Sequence, residues 1–409
     1  MADSSSPLRL LYSFPHPLNR PGIAETALRQ VLGLERLGVR VTLFVASAGT
    51  LDLPNTIDLH QTMVVAGRRV PHRAIGVQRA YSLHDYRVAA WLRRHPDDFD
   101  VVHAWPRGCL RTLNSARALG IPALRESPNA HTASGLRASA QAADSVGVAL
   151  PPNHSHAANP SVLARELQEY EAASAVLVPS PYAYAEFVGE GYPAERLLQH
   201  RYGCDLDRFP PREVGSRPAR PFRAVFVGRG DPTKGLHVAL DAWAAAALPG
   251  AEFFIAGSIL PDYERYLADR LTAPGVRTLG FVTDVPALFA DADVLILPSW
   301  TEGSALVIME AQASGCVPLV STASGALGVP GLDYLEHPVG AVDVLAGQLR
   351  ELATDPERLA SLSARGVERR PFLSWDSAAE RLLACYREAM TMPATTAHDD
   401  SAGARRGHH

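Results

Sequence analysis

Lysine is almost missing from this chain: of its 39 basic residues only one, Lys234, is lysine, and the rest are arginine. Cysteine is scarce as well. Cys109, Cys204, Cys316 and Cys385 are widely spaced and form no Cys-x-x-Cys pair, so neither a disulfide framework nor a zinc site is indicated. There is no basic run and the net charge is −4. This argues against a nucleic-acid partner, whose binding depends on neutralising phosphates. No apolar stretch approaches the roughly 18 residues that a membrane-spanning helix needs. The start, Met1 to Pro7, lacks the charged and apolar regions of a secretory signal. Cytoplasm is the simplest reading, with peripheral contact at the inner membrane face left open.

What is present is an α/β pattern. Short apolar runs (Leu8–Phe14, Val39–Ala46, Asp100–Trp105, Pro122–Glu126, Ala175–Pro179, Arg196–Tyr202) alternate with helical ones in the first half. The second half repeats the theme with Arg223–Val227, Glu252–Ala256, Val276–Leu279, Val294–Pro298 and Val317–Val320. Such alternation predicts doubly wound parallel sheets, buried on both faces. A length of 409 residues predicts two domains, because one core seldom exceeds about 250–300 residues. The Pro-rich stretch 209–221 reads as a linker between a first domain over 1–208 and a second over 222–372. A last helix is expected over 373–390 and a disordered tail over 391–409, and Ser134–Asn159 reads as a long mobile loop. Two such domains create one cleft at the carboxyl ends of both sheets.

The lone lysine stands in Gly228-Arg229-Gly230-Asp231-Pro232-Thr233-Lys234-Gly235, between an apolar run and a helical pattern. With Asp231 as N-cap and Pro232 first in the helix, Lys234 falls in the first turn, where the helix dipole disfavours a cation. An anion at that helix end reverses the sign, so Arg229 and Lys234 read as a phosphate clamp. A solvated surface lysine is the bland alternative. The string is no P-loop, which needs Gly before the lysine and Ser or Thr after it. The second unusual feature is Trp300-Thr301-Glu302-Gly303-Ser304, followed by a helical pattern carrying Glu310. Leu306, Val307, Ala313 and Ser314 give Glu310 no cation at helical spacing. A carboxylate on so apolar a helix needs a partner, for which ribose or sugar hydroxyls would serve, unless it simply points to water. Asp291-Ala-Asp293 imitates a metal-binding pair but sits where a helix hands over to a strand, as a turn does.

Val227-Gly228-Arg229…Lys234-Gly235, then Phe281-Val282-Thr283-Asp284, then Asp293…Ser299…Glu302-Gly303…Glu310-Ala311…Gly315…Pro318 resembles a retaining glycosyltransferase of family four, with the GT-B fold. Gly22-Ile-Ala-Glu-Thr, Glu166…Glu169-Tyr170…Ser180 and Gly203-Cys204-Asp205 extend the likeness from about Leu8 to Ala389. The resemblance implies that Arg229 and Lys234 bind a donor diphosphate, with Gly22, Gly228 and the backbone of Gly303, Ser304, Ala305 and Leu306 nearby. It implies Glu310 on the ribose, Glu302 on the transferred sugar, and Val282 and Thr283 along the base. His131, in Asn129-Ala-His131-Thr132, would sit beside the sugar ring. His103 is a second candidate on the acceptor side, although a histidine closing a strand is more often structural. Trp105 stands where a second histidine is frequent.

The function so implied moves a sugar from a nucleoside-diphosphate sugar to a hydroxyl acceptor, by front-face attack, with no metal and no cofactor beyond the co-substrate. The acceptor would be a saccharide, a lipid-linked molecule or a small molecule. The bias to arginine and alanine suggests a GC-rich bacterial genome, and polysaccharide assembly and natural-product glycosylation both stay open. A nucleotide-sugar 2-epimerase of the same fold and a non-catalytic nucleotide-sugar-binding protein are the alternatives.

Overall fold

The computed structural model describes residues 6–20, 22–65, 67–70, 75–152, 154, 157–212 and 220–393. Most of the predicted linker (213–219) and most of the predicted tail (394–409) lie outside them.

Two parallel sheets carry the chain, as the alternating pattern predicts. In the first, β1 (Arg9–Pro17), β2 (Arg40–Ser47), β3 (Asp58–Gln61), β4 (Val101–Ala104), β5 (Ala123–Glu126), β6 (Ala175–Val178) and β7 (Leu197–Gln199) lie in the order β3-β2-β1-β4-β5-β6-β7. In the second, β8 (Arg223–Val227), β9 (Glu252–Ala256), β10 (Val276–Gly280), β11 (Val294–Leu297), β12 (Val317–Ser321) and β13 (Leu335–His337) lie in the order β10-β9-β8-β11-β12-β13. Both orders reverse direction once, between β1 and β4 and between β8 and β11. At such a switch point the loops leaving neighbouring strands diverge and open a crevice.

Helices cover the sheets because their apolar residues recur at helical spacing. In α1 (Ile23–Arg36), Ala24, Ala27, Val31 and Leu34 form the buried stripe. The helices that matter below are α2 (Val77–Arg94), α3 (Leu110–Ala118), α4 (Thr132–Val146), α5 (Pro160–Ala172), α6 (Pro181–Gly189), α7 (Leu236–Ala246) and α8 (Leu306–Ala313). Helix α4 corrects one expectation, because it occupies much of the stretch 134–159 read as a mobile loop. Its alanines are strong helix formers, and Gly147, with φ of 64°, ends it. None of the described helices is long and apolar enough to cross a membrane.

The last helix, α9 (Trp375–Thr391), returns to the first sheet. Its Leu382, Leu383, Cys385, Tyr386 and Ala389 share one core with Leu10, Tyr12 and Phe14 of β1. Where it sets out, it passes the strand that left the first sheet. The Cys204 N–H donates to the Leu373 carbonyl at 2.7 Å. A Cβ on Gly203 would stand 2.6 Å from both N and Cα of Trp375. Gly203→Ala is therefore expected to force the two crossing segments apart, at a cost of about 1–3 kcal/mol typical of overpacking. A thermal melt of the variant, with a fall in Tm of several degrees, checks this.

Candidate active site

The clamp loop follows β8. Asp231 caps a single 3-10 turn, Pro232–Lys234, accepting from the Lys234 N–H at 3.2 Å. Gly235 (φ 70°) then breaks the chain before α7 begins at Leu236. Lys234 thus closes a turn in front of the helix and does not sit in the helix's first turn, as the spacing had suggested. Gly235 allows a second thing: a Cβ there would stand 2.2 Å from the Pro298 carbonyl oxygen. The turn packs directly on the loop after β11, and the Trp300 N–H donates to the Thr233 carbonyl at 2.7 Å.

That packing brings the lysine to Glu302. Lys234 Nζ is ion-paired with Glu302 Oε1, which also accepts from Ser299 Oγ at 2.9 Å. Arg229 is half exposed on the same loop, its Nε 4.0 Å from Asp231 Oδ2. The carboxylate of Glu310, in α8, makes no hydrogen bond or ion pair among the described residues. Burial pushes its carboxyl up to about 7, with Arg208 opposing and Glu25 adding to the shift. No side chain caps the start of α8, where Ser304, Ala305 and Leu306 lie. Val282 and Thr283 lie in the loop after β10, beside Phe281, which is 80% exposed.

Gly303 is approached from across the cleft. A Cβ on it would stand 2.0 Å from the Pro128 carbonyl oxygen, and its own carbonyl accepts from Ser180 Oγ. His154 Nε2 lies 3.3 Å from Asp231 Oδ2, a further link between the two halves. Gly22, with φ of 84°, precedes α1 in the loop after β1, where only glycine adopts that backbone without strain.

Between the two sets of loops opens a cavity of about 150 Å³, with Arg107, Arg125, Glu166 and Tyr170 on one side and Thr301 and Glu302 on the other. Arg125 is fully buried. It donates to Glu166 at 2.8 Å, contacts Glu169 at 3.4 Å and stacks over the Tyr170 ring. Arg107 Nε meets Glu166 at 3.1 Å, and Thr132 Oγ1 donates to the same carboxylate at 2.7 Å. Burial works against the Glu166 charge, but Arg125 and Arg107 hold it below the ordinary carboxylate range. Sequence reasoning singled out none of these arginines, since their partners lie on another helix far along the chain.

Three expected residues lie elsewhere than supposed. His103 is fully buried, between Tyr386 OH at 2.6 Å and Glu126 at 3.1 Å, so it is no part of an acceptor surface. Trp105 is likewise buried, donating to Tyr12 OH at 2.7 Å and packing edge-on against Phe14. Both are buried in the first half, His103 within β4 and Trp105 directly after it. His131 caps α4 through the Ala133 N–H at 3.3 Å, and its ring packs on Tyr170 and Phe187. Burial lowers its pKa, so the imidazole is neutral, and its neighbours Ala130 and Thr132 line the cavity in its place. The pair Asp291 and Asp293 lies at the opposite end of its strand, held by Arg220 and Arg223.

Residues 221–355 match the family model described as Glycosyl transferases group 1. The chain is 29% identical over 419 residues to D-inositol 3-phosphate glycosyltransferase of Mycobacterium leprae (strain Br4923), covering 91% of each chain. The enzyme of the same description from Mycobacterium tuberculosis (strain ATCC 25177 / H37Ra) is 28% identical over 434 residues, covering 95% of this chain and 84% of that one. Among solved structures, sucrose-phosphate synthase from Thermosynechococcus elongatus superposes with a TM-score of 0.68 at 18% identity, over 94% of this chain and 99% of that one. An Anabaena protein, HepE, in complex with UDP-glucose gives 0.64 at 18% identity, over 93% and 99%. These superpositions agree with the fold class read from the sequence.

Gly235→Ala meets both a left-handed backbone and the Pro298 carbonyl. It is expected to cost about 1–3 kcal/mol and to part Lys234 from Glu302. A lowered Tm together with a reduced response to any ligand of Lys234, both read in one melting series, is the expected outcome.

Proposed function

We propose that this chain, whose residues 221–355 match the model of the glycosyl transferases group 1 family, moves a sugar from a nucleoside-diphosphate sugar to a hydroxyl acceptor, with retention at the anomeric carbon and without a metal. The observation that carries the reading is the meeting of the chain's one lysine with Glu302 at the lip of the cavity, with Arg229 on the same loop. Departure of the diphosphate leaves negative charge on its oxygens. Fixed cations aimed at that charge lower the barrier, and the uncapped start of α8 adds N–H groups toward the same phosphate. Lys234 and Arg229 supply the charge, so no metal or cofactor is called for beyond the donor itself.

Glu302 is held by Lys234 and Ser299 in an orientation suited to accept from sugar hydroxyls. When the diphosphate takes part of the lysine's charge, the carboxylate is released toward the sugar, so the two ends of the donor are read together. Glu310, whose carboxylate has no partner among the described residues, accepts from the ribose hydroxyls, and Val282 and Thr283 line the base. In front-face attack the acceptor hydroxyl approaches on the side the diphosphate leaves, and a phosphate oxygen takes its proton. Neither Glu302 nor Glu166 then acts as a nucleophile, and both are already engaged by cations. UDP-glucose is the first donor to test and a polyhydroxylated ring, as in the D-inositol 3-phosphate of the relatives, the first acceptor class.

Two measurements test this. A nucleoside diphosphate at about 100 times its Kd stabilises by roughly 2.7 kcal/mol, so one of UDP, GDP or ADP is expected to raise the Tm of the native chain and not that of Lys234→Ala. In turnover the same variant is expected to lose about 10²–10³ in kcat. No shift with any nucleotide, or release of an epimerised sugar without acceptor, speaks against transfer. The second measurement is pH. Ribose hydroxyls donate to the ionised carboxylate, and Glu310 gains its proton at about 7. Donor affinity is therefore expected to fall roughly tenfold from pH 8 to pH 6, and Glu310→Gln to bind weakly and without that slope. Calorimetric titration at both pH values reads it.

A further inference from the structure

The cavity at the proposed active site has a neighbour. A second cavity of about 310 Å³ adjoins it, and the two share Arg107, Thr132 and Leu136 as a common wall. Its other walls come from the start of α2, with Val77, Gln78 and Tyr81, and from the start of α5, with Asn159 and Val162. A one-ring acceptor beside Glu302 would occupy the first and leave the second unused.

We propose that the acceptor is a two-ring molecule. The ring bearing the reacting hydroxyl lies in the first cavity, and a second polyhydroxylated ring lies in the second, the link between them passing Arg107. This rests on the glycosyltransferase reading and specifies its acceptor.

Three observations support it. The first is the shared wall, which sets the second cavity directly beside the site of transfer. The second is Arg107 itself. It has a left-handed backbone, with φ of 70°, which among the described non-glycine residues only Ala247 also adopts. Such conformations persist where the surroundings impose them and gather at functional sites. Here two carboxylates impose it: the Arg107 N–H donates to Glu169 at 2.9 Å and its Nε to Glu166 at 3.1 Å. Its two terminal amino groups make no hydrogen bond to a described residue, so two fixed donors remain at the seam for oxygens of the link. The third is the chemistry of the walls. Val77, half exposed, faces the cavity with Tyr81, Leu136 and Val162, while Gln78 and Asn159 add polar edges. Apolar faces with a polar rim are what a sugar or cyclitol ring presents.

The test uses the nucleotide sugar that gives the largest melting shift, with paired acceptors: methyl β-glucoside against methyl β-cellobioside, and methyl α-mannoside against its α-linked disaccharide. In the native enzyme the two-ring member of at least one pair is expected to show at least tenfold higher kcat/KM, through KM. Val162→Trp and Val77→Trp fill the second cavity from opposite walls, so if one fails to fold the other decides. In each the two-ring to one-ring ratio is expected to fall to about one, with the donor's melting shift retained. A ratio near one in the native enzyme, a ratio untouched in the folded variants, or no transfer to any two-ring acceptor while the donor shift persists overturns the proposal. Absence of any donor shift in the native enzyme strikes instead at the glycosyltransferase reading.

Discussion

The site depends on one steric fact, the contact of Gly235 with the Pro298 carbonyl. Nothing larger than hydrogen fits between them. The loops after β8 and β11 could otherwise splay, as loops at a switch point do. Laced instead by Gly235 and by the bond from Trp300 to Thr233, they hold Lys234 against Glu302 at fixed separation. Both charged groups are then oriented before any ligand arrives, so little reorganisation is left for binding to drive.

The first sheet solves a different problem, which is how to keep charge buried beneath a binding surface. Glu126 is fully buried yet held well below the ordinary carboxylate range; burial opposes this, while His200 and His103 at 2.9 and 3.1 Å and the Tyr202 hydroxyl at 2.7 Å stabilise the ionised form. Closer to the cavity Arg125 and Arg107 hold Glu166 below that range, while burial raises Glu169 despite its contact with Arg125. A buried pair left half satisfied is strongly destabilising, so these networks fix the positions of β4, β5 and α5 more sharply than apolar packing alone. The cavity walls inherit that rigidity.

How much of this was legible in the sequence varied with how local the signal was. The parallel sheets were, because alternation of apolar runs is local. Lys234 stood out by composition, and Glu310 by the apolar helix around it, and among the described residues that carboxyl has no partner. Depth was not legible. His103 lies near the end of β4 and Trp105 directly after it, as site residues do, but whether such a residue faces the cleft or the core depends on contacts with Tyr386 and Tyr12 that are far away in sequence. The stretch 134–159 was misread since Ala and Ser serve loops and helices alike, and only Gly147 marks where the helix stops. Arg125 and Arg107 were missed because their meaning lies in α5, some forty to sixty residues on.

The return of α9 to the first sheet gives the chain an unusual genealogy of parts. Its buried residues Leu383 and Tyr386 belong to the core of a sheet whose own strands were completed almost two hundred residues earlier. A hybrid that borrowed the second half from a relative at the linker alone would import a foreign helix into that core, and would strand His103 without its Tyr386. Recombination that preserves the fold must cut twice, once on each side of the point where Cys204 and Leu373 meet. The two halves can therefore be exchanged between relatives only as an insertion, never as a simple tail swap.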